Sequence, residues 1–152
     1  MPLQLTHLER CIISALVYSV CFLLEIGGCI VLYQVISSDC VWGRENSTRI
    51  FFALICVVVP ILPDILYCIM GILISDPFYA PLGGCYNIVM SCFCILSAIF
   101  AFVSYTGCGN PAQLQALVAG VLSLLAGIIH LVFILFVKEN LDEGEVLFRK
   151  AF

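Results

Sequence analysis

Apolar residues fall into four long runs, Cys11 to Val35, Ile50 to Ser75, Leu82 to Tyr105 and Leu114 to Val137, separated by short polar or turn-forming segments. A helix rises about 1.5 Å per residue and the hydrocarbon core of a bilayer is about 30 Å thick, so each run is long enough to cross. The intervening segments, Ile36 to Arg49, Asp76 to Pro81 and Thr106 to Pro111, are short. Connections of this length make successive helices antiparallel. The pattern predicts an all-α membrane protein, a four-helix transmembrane bundle of up-down-up-down topology, with spans over 11–35, 50–75, 82–105 and 114–137 and an acidic tail over 138–152. The fourth span has the clearest start: Asn110 suits the N-cap, Pro111 the first helical position, and Gln113 can close a capping box.

Composition agrees with this reading. The chain is 63% hydrophobic and 11% charged, where a soluble domain is about 45–50% apolar and about 25% charged. Four spans use most of the 152 residues, which leaves no room for a separate catalytic or binding domain. Of the net charge of −4, the tail contributes −1, its Glu139, Asp142, Glu143 and Glu145 outweighing Lys138, Arg149 and Lys150. No basic patch points to nucleic acid, and neither end carries a cluster that would read anionic lipid. Met1 to Arg10 lacks the basic region of a signal peptide, so the first run is expected to be a retained span.

Arg10, Lys138, Arg149 and Lys150 lie on one side of the predicted topology, against Arg44 and Arg49 on the other. The positive-inside rule places both ends in the cytoplasm. Asn46-Ser47-Thr48, a candidate glycosylation sequon, then lies outside, as do Cys40 and Cys108, a candidate disulfide between the first and third loops. The other eight of the ten cysteines lie in or beside apolar runs and read as small hydrophobes. Cys92 and Cys94 point to opposite sides of a helix and lack a partner at zinc-finger spacing, so no metal site is expected. Cys11 and Cys85, at cytoplasmic helix ends, are either unmodified interfacial thiols or candidates for palmitoylation.

Three ionisable side chains sit inside the apolar runs: Glu25, Asp64 and His130. A charge at mid-bilayer costs at least about 2.5–3.5 kcal/mol, so such residues normally face the protein interior or water. Counted from the cytoplasmic helix ends at about 1.5 Å per residue, their depths are roughly 21, 16 and 11 Å, close enough for a chain of three if their helices are neighbours. Pro60 and Pro63 beside Asp64 predict a kink and free two carbonyls, which His130, Tyr67, water or a protonated Asp64 could serve. Asp64 reads as a packing residue or as a proton- or ion-handling one. In the fourth run Ala116, Ala119, Gly120, Ser123, Ala126 and Gly127 form a small-residue face that continues to His130; Cys94, Ser97, Ala98 and Ala101 match it in the third. These two helices are expected to pack closely, or to offer the same stripes to a second subunit.

Four short-looped spans with both ends cytoplasmic, Cys40 and Trp42 in the first outer loop, and the Gly-containing segment Leu117 to Gly127 resemble the claudin and MARVEL type, including the small snakeskin-like four-span proteins of arthropods. The chain departs from the claudin first-loop signature: it has a single Trp, and its one loop Cys precedes it. The resemblance implies roles at cell junctions, in membrane apposition or in vesicle trafficking. The residues themselves contain no nucleophile motif, metal constellation or phosphate loop, so no enzymatic activity, catalytic residue, cofactor or small-molecule substrate is expected. The expected function is that of a membrane organiser or accessory subunit at the plasma membrane or in the secretory pathway, its partners being lipid and another membrane protein or a second copy. The alternative is a small transporter or channel component using Glu25, Asp64 and His130. The charge asymmetry makes one prediction: tags at either end should bind antibody only after permeabilisation, and labelling on intact cells would overturn the topology.

Overall fold

The computed structural model describes residues 6–38, 46–73, 80–104 and 111–139, which form four helices: α1 (His7–Ile36), α2 (Asn46–Leu73), α3 (Ala80–Ser104) and α4 (Ala112–Glu139). All four are long and apolar enough to cross a membrane, and the protein is an integral, multi-pass membrane protein. Cys40, Trp42, Cys108, Asn110 and the tail beyond Glu139 lie outside the described residues, and with them the candidate disulfide and most of the acidic tail.

Local chemistry sets the ends. α1 begins before its apolar run because Thr6 is its N-cap: Glu9 N donates to Thr6 Oγ1 at 3.4 Å, and Thr6 N donates back to the Glu9 carboxylate at 2.8 Å. At the other end Ser37 and Ser38 return their hydroxyls to the Tyr33 and Val35 carbonyls, at 2.9 and 2.6 Å, so the final turn keeps its acceptors occupied. α4 starts at Ala112, one residue later than the capping reading placed it; Pro111 stands just outside and its carbonyl accepts the first bond from Gln115 N at 3.1 Å. Asn46 opens α2, so the sequon is that helix's first turn. α2 remains helical through both Pro60 and Pro63.

The buried positions reveal an order that hydropathy hides. In α1 they include Ser14, Tyr18, Cys21, Glu25, Gly28, Leu32 and Val35; in α4, Ala112, Ala116, Ala119, Ser123, Ala126, His130, Phe133 and Val137. The steps alternate between three and four residues, the seam of left-handed helix packing at about 3.5 residues per repeat. Opposite it, Leu16, Leu23 and Ile30 of α1 and Val118, Val121, Leu125, Ile128, Val132 and Leu135 of α4 are exposed, an apolar surface that only lipid or another membrane protein can cover. The interior is therefore the more polar side of each helix, with Glu25, Asp64, Asn87, His130 and six serines or arginines among its fully or nearly buried residues.

Extensive contacts join α1 to α2, α2 to α3, α3 to α4 and α4 to α1, a closed ring in which α1 faces α3 and α2 faces α4 across the diagonals. α3 and α4 touch through small residues. A Cβ on Gly127 would lie 3.3 Å from the Ser91 carbonyl oxygen and 3.3 Å from Cys94 Cβ, and Ser91 Oγ donates to the Gly127 carbonyl at 2.8 Å. Gly120 lies under the Phe102 ring, and a Cβ on Gly28 of α1 would lie 3.4 Å from Ser123 Oγ. Ser97 donates to the Ala53 carbonyl of α2 at 2.8 Å and lies 3.2 Å from Ser123 Oγ, so one hydroxyl links three helices. Ala119, Gly120, Ser123 and Gly127 thus serve contacts within this chain.

Gly127→Leu should push α4 off α3 and break the Ser91 bond, lowering stability in detergent by roughly 1–3 kcal/mol as overpacking does. Gly27→Ala, whose added Cβ would meet only Leu122 at 3.4 Å, should change little. Equal melting temperatures for the two variants would refute the close α3–α4 contact.

Candidate functional site

Halfway along the bundle the seams of all four helices bring polar groups to one point. α1 contributes Glu25, α2 Asp64, α3 Asn87 and Cys94, and α4 His130; Glu25, Asp64 and His130 are each 0% exposed. Apolar clusters close the site on both sides. One, around Leu32, Val35, Ile50, Val57 and Ala119, lies toward the C-terminal end of α1; the other, around Tyr18, Phe133 and Val137, lies toward its N-terminal end.

His130 is the junction. Its Nδ1 lies 2.8 Å from Asn87 Oδ1, and Asn87 Nδ2 donates to Tyr18 Oη at 2.8 Å. With the amide nitrogen committed to Tyr18, the amide oxygen accepts, so the proton sits on His130 Nδ1. Nε2 faces two carboxyl groups, 3.5 Å from Glu25 Oε1 and 3.4 Å from Asp64 Oδ2. The outer groups hold the carboxyls in place: Cys94 Sγ donates to Glu25 Oε1 at 3.4 Å, and Tyr86 Oη donates to Asp64 Oδ1 in a short hydrogen bond. Tyr86 in turn stacks on Tyr67 at 4.2 Å, and Tyr18 packs 5.3 Å from Tyr67 and 5.5 Å from Phe133, an aromatic layer against one side of the cluster. Within this cluster three buried atoms keep no aligned hydrogen bond: Glu25 Oε2, Asp64 Oδ2 and His130 Nε2.

The three ionisable residues picked out by hydropathy are thus brought together, but by a different route. α2 and α4 are diagonal partners, and the imidazole reaches across the centre to Asp64 while α1 supplies Glu25 from the side. His130 spends its nitrogens on Asn87 and the two carboxyls, so it does not serve the carbonyls freed by Pro60 and Pro63. Asn87, Tyr86 and Tyr18 also join the cluster, none of them marked by a charge inside an apolar run. The three-and-four spacing of Asn87, Ser91, Cys94, Ala98 and Ala101 was the available signal. Cys94 is more than a small hydrophobe: its thiol is a donor inside the cluster, whereas Cys92 is exposed. The eight cysteines among the described residues are free thiols; Cys85 is exposed and Cys11 half-buried. No protein-family model, curated protein or solved structure matches the chain.

Asp64→Leu would strip the acceptor from Tyr86 Oη and should cost roughly 1–3 kcal/mol for the stranded hydroxyl. Asp64→Asn keeps an oxygen for Tyr86 and a polar group of the same shape beside His130, so it should be much milder. Thermal denaturation in detergent with Asn as damaging as Leu would contradict this hydrogen-bond assignment.

Proposed function

We propose that this integral membrane protein is non-enzymatic and works as a membrane organiser, a junction or trafficking component, or an accessory subunit, through helix packing. One observation carries the reading: Glu25, Asp64 and His130, each at zero exposure, face one another from three different helices between two apolar clusters. A transport pathway brings such residues to water or to a cavity. Here they bind the helices to one another, and the surface left for partners is apolar and faces outward. That surface suits lipid, another membrane protein or a second copy. The proposed placement is the plasma membrane or the secretory pathway with both termini cytoplasmic, supported by the distribution of Arg10, Lys138, Arg149 and Lys150 and by the claudin- and MARVEL-like architecture.

A second reading, a small transporter or channel component, draws on the unpaired atoms of Glu25, Asp64 and His130. Reconstitution separates the two. Proteoliposomes of the native protein should show no more proton or cation flux than those of Asp64→Asn or empty vesicles, and a flux abolished by Asp64→Asn would replace the organiser with the transporter.

A further inference from the structure

Among the described residues a groove of about 310 Å³ opens between α1 and α4, lined by Ile13 and Val17 of α1 and by α4 from Ile128 through Val132 and Phe133 to Phe136. Its lining is wholly apolar. The groove follows from a change of side-chain size along the seam. Toward the C-terminal end of α1, Gly27 and Gly28 bring the two helices so close that an added Cβ would meet Leu122 or Ser123 at 3.4 Å. Toward the start of α1 the rings of Tyr18 and Phe133 stand between the helices, 5.5 Å apart, and Phe136 stacks 6.4 Å from Phe133. Rings hold open here what glycines close there.

The dimensions of the groove select its occupant. Ile128 and Phe136 are eight residues apart, about 12 Å of helix, and the groove runs from near the midpoint of α4 toward that helix's end. That is most of the depth of one leaflet, about 15 Å of hydrocarbon. Spread over this length, 310 Å³ leaves a cross-section of about 26 Å², the width of a single extended hydrocarbon chain. A helix, about 10–12 Å across, cannot enter, and the fused rings of a sterol are broader than the slot. The tail after Glu139 carries Asp142, Glu143 and Glu145, which would have to follow it into hydrocarbon.

We propose that this groove is a phospholipid site, holding one acyl chain from the leaflet beside the start of α1 and the end of α4 as a resident part of the fold. Lipid tails are as apolar as leucine, so within the bilayer only fit distinguishes one contact from another. A slot walled by two helices lets a chain touch more protein carbons than an open ridge does, and dispersion attraction grows with the number of contacts. The floor of the slot, Phe133, packs on Tyr18, whose hydroxyl accepts from Asn87. A chain in the slot thus braces the aromatic layer beside His130. With no polar group in the lining, selection falls on the chain and not on the head group. The inference deepens the lipid contact of the packing reading, but bound lipid and ion flux are separate measurements, so either can fail alone.

The test is lipid analysis of the protein extracted in a sterol-based detergent, whose rigid rings cannot replace a chain in the slot. Native mass spectrometry should show a single phospholipid on each chain, with no preference among head groups. A phospholipid carrying a diazirine on its acyl chain should cross-link to residues 13–17 and 128–136. Val132→Trp, at a position 57% exposed on the groove's rim, fills the slot and should retain roughly tenfold less lipid while remaining monodisperse. Leu135→Trp, 60% exposed and outside the groove, should retain as much as the native protein. Native protein free of phospholipid, or equal retention by the two variants, would overturn the site. So would a photoreactive sterol that labels the same residues in competition with the phospholipid, or a dimer cross-linked through them, since either occupant is wider than one chain.

Discussion

Hydrocarbon offers no hydrogen bonds, and the interior of this protein follows from that constraint. A carboxyl, an imidazole or an amide on the lipid side of a span would stay unpaired, so each span turns its polar positions inward, where only the other spans can serve them. The ordinary arrangement of a soluble bundle is thereby reversed. Leucine, isoleucine and valine cover the outside, and serine, cysteine, asparagine, aspartate, glutamate and histidine line the seam. His130 stands where the four seams meet, with Asn87 on one nitrogen and the carboxyls of Glu25 and Asp64 around the other.

Small residues make that meeting possible. Gly28, Gly127, Ser91 and Ser97 let backbones approach until hydroxyls reach carbonyls on neighbouring helices. In a ring of four helices this closeness shrinks the central space enough for one imidazole to span the diagonal between α4 and α2. The polar contacts in turn set the register: sliding α4 by one residue would take His130 away from Asn87 and rotate Ser123 off Ser97. Packing and polar pairing thus specify the same alignment, a consistency expected of a sequence with one preferred structure.

The consequence for function is a division of surfaces. The centre joins the helices, and what the molecule presents to its surroundings is a broad apolar exterior. Ridges such as Leu16, Leu23 and Ile30 are apolar and carry no polar group, a surface suited to lipid.

Hydropathy by itself determined the number of spans, their antiparallel order, the intramembrane Glu25, Asp64 and His130, and the small-residue face of the fourth helix. These are local properties, readable wherever a long apolar run or an expensive polar residue stands. Which side of a span faces inward was harder to read, because leucine and valine suit lipid and core alike; the seam becomes legible only through its serines, glycines and cysteines. Thr6 and Glu9 formed a capping signal upstream of the apolar run, outside the stretch that hydropathy marks. The partnerships were decided by tertiary structure alone. Nothing along the chain says that α2 and α4 lie across a diagonal, that Asn87 orients His130, or that Cys94 and Tyr86 complete the shell of Glu25 and Asp64. The spans supply these groups one or two at a time, too far apart in sequence to form a motif, and only the packing of four helices brings them within reach.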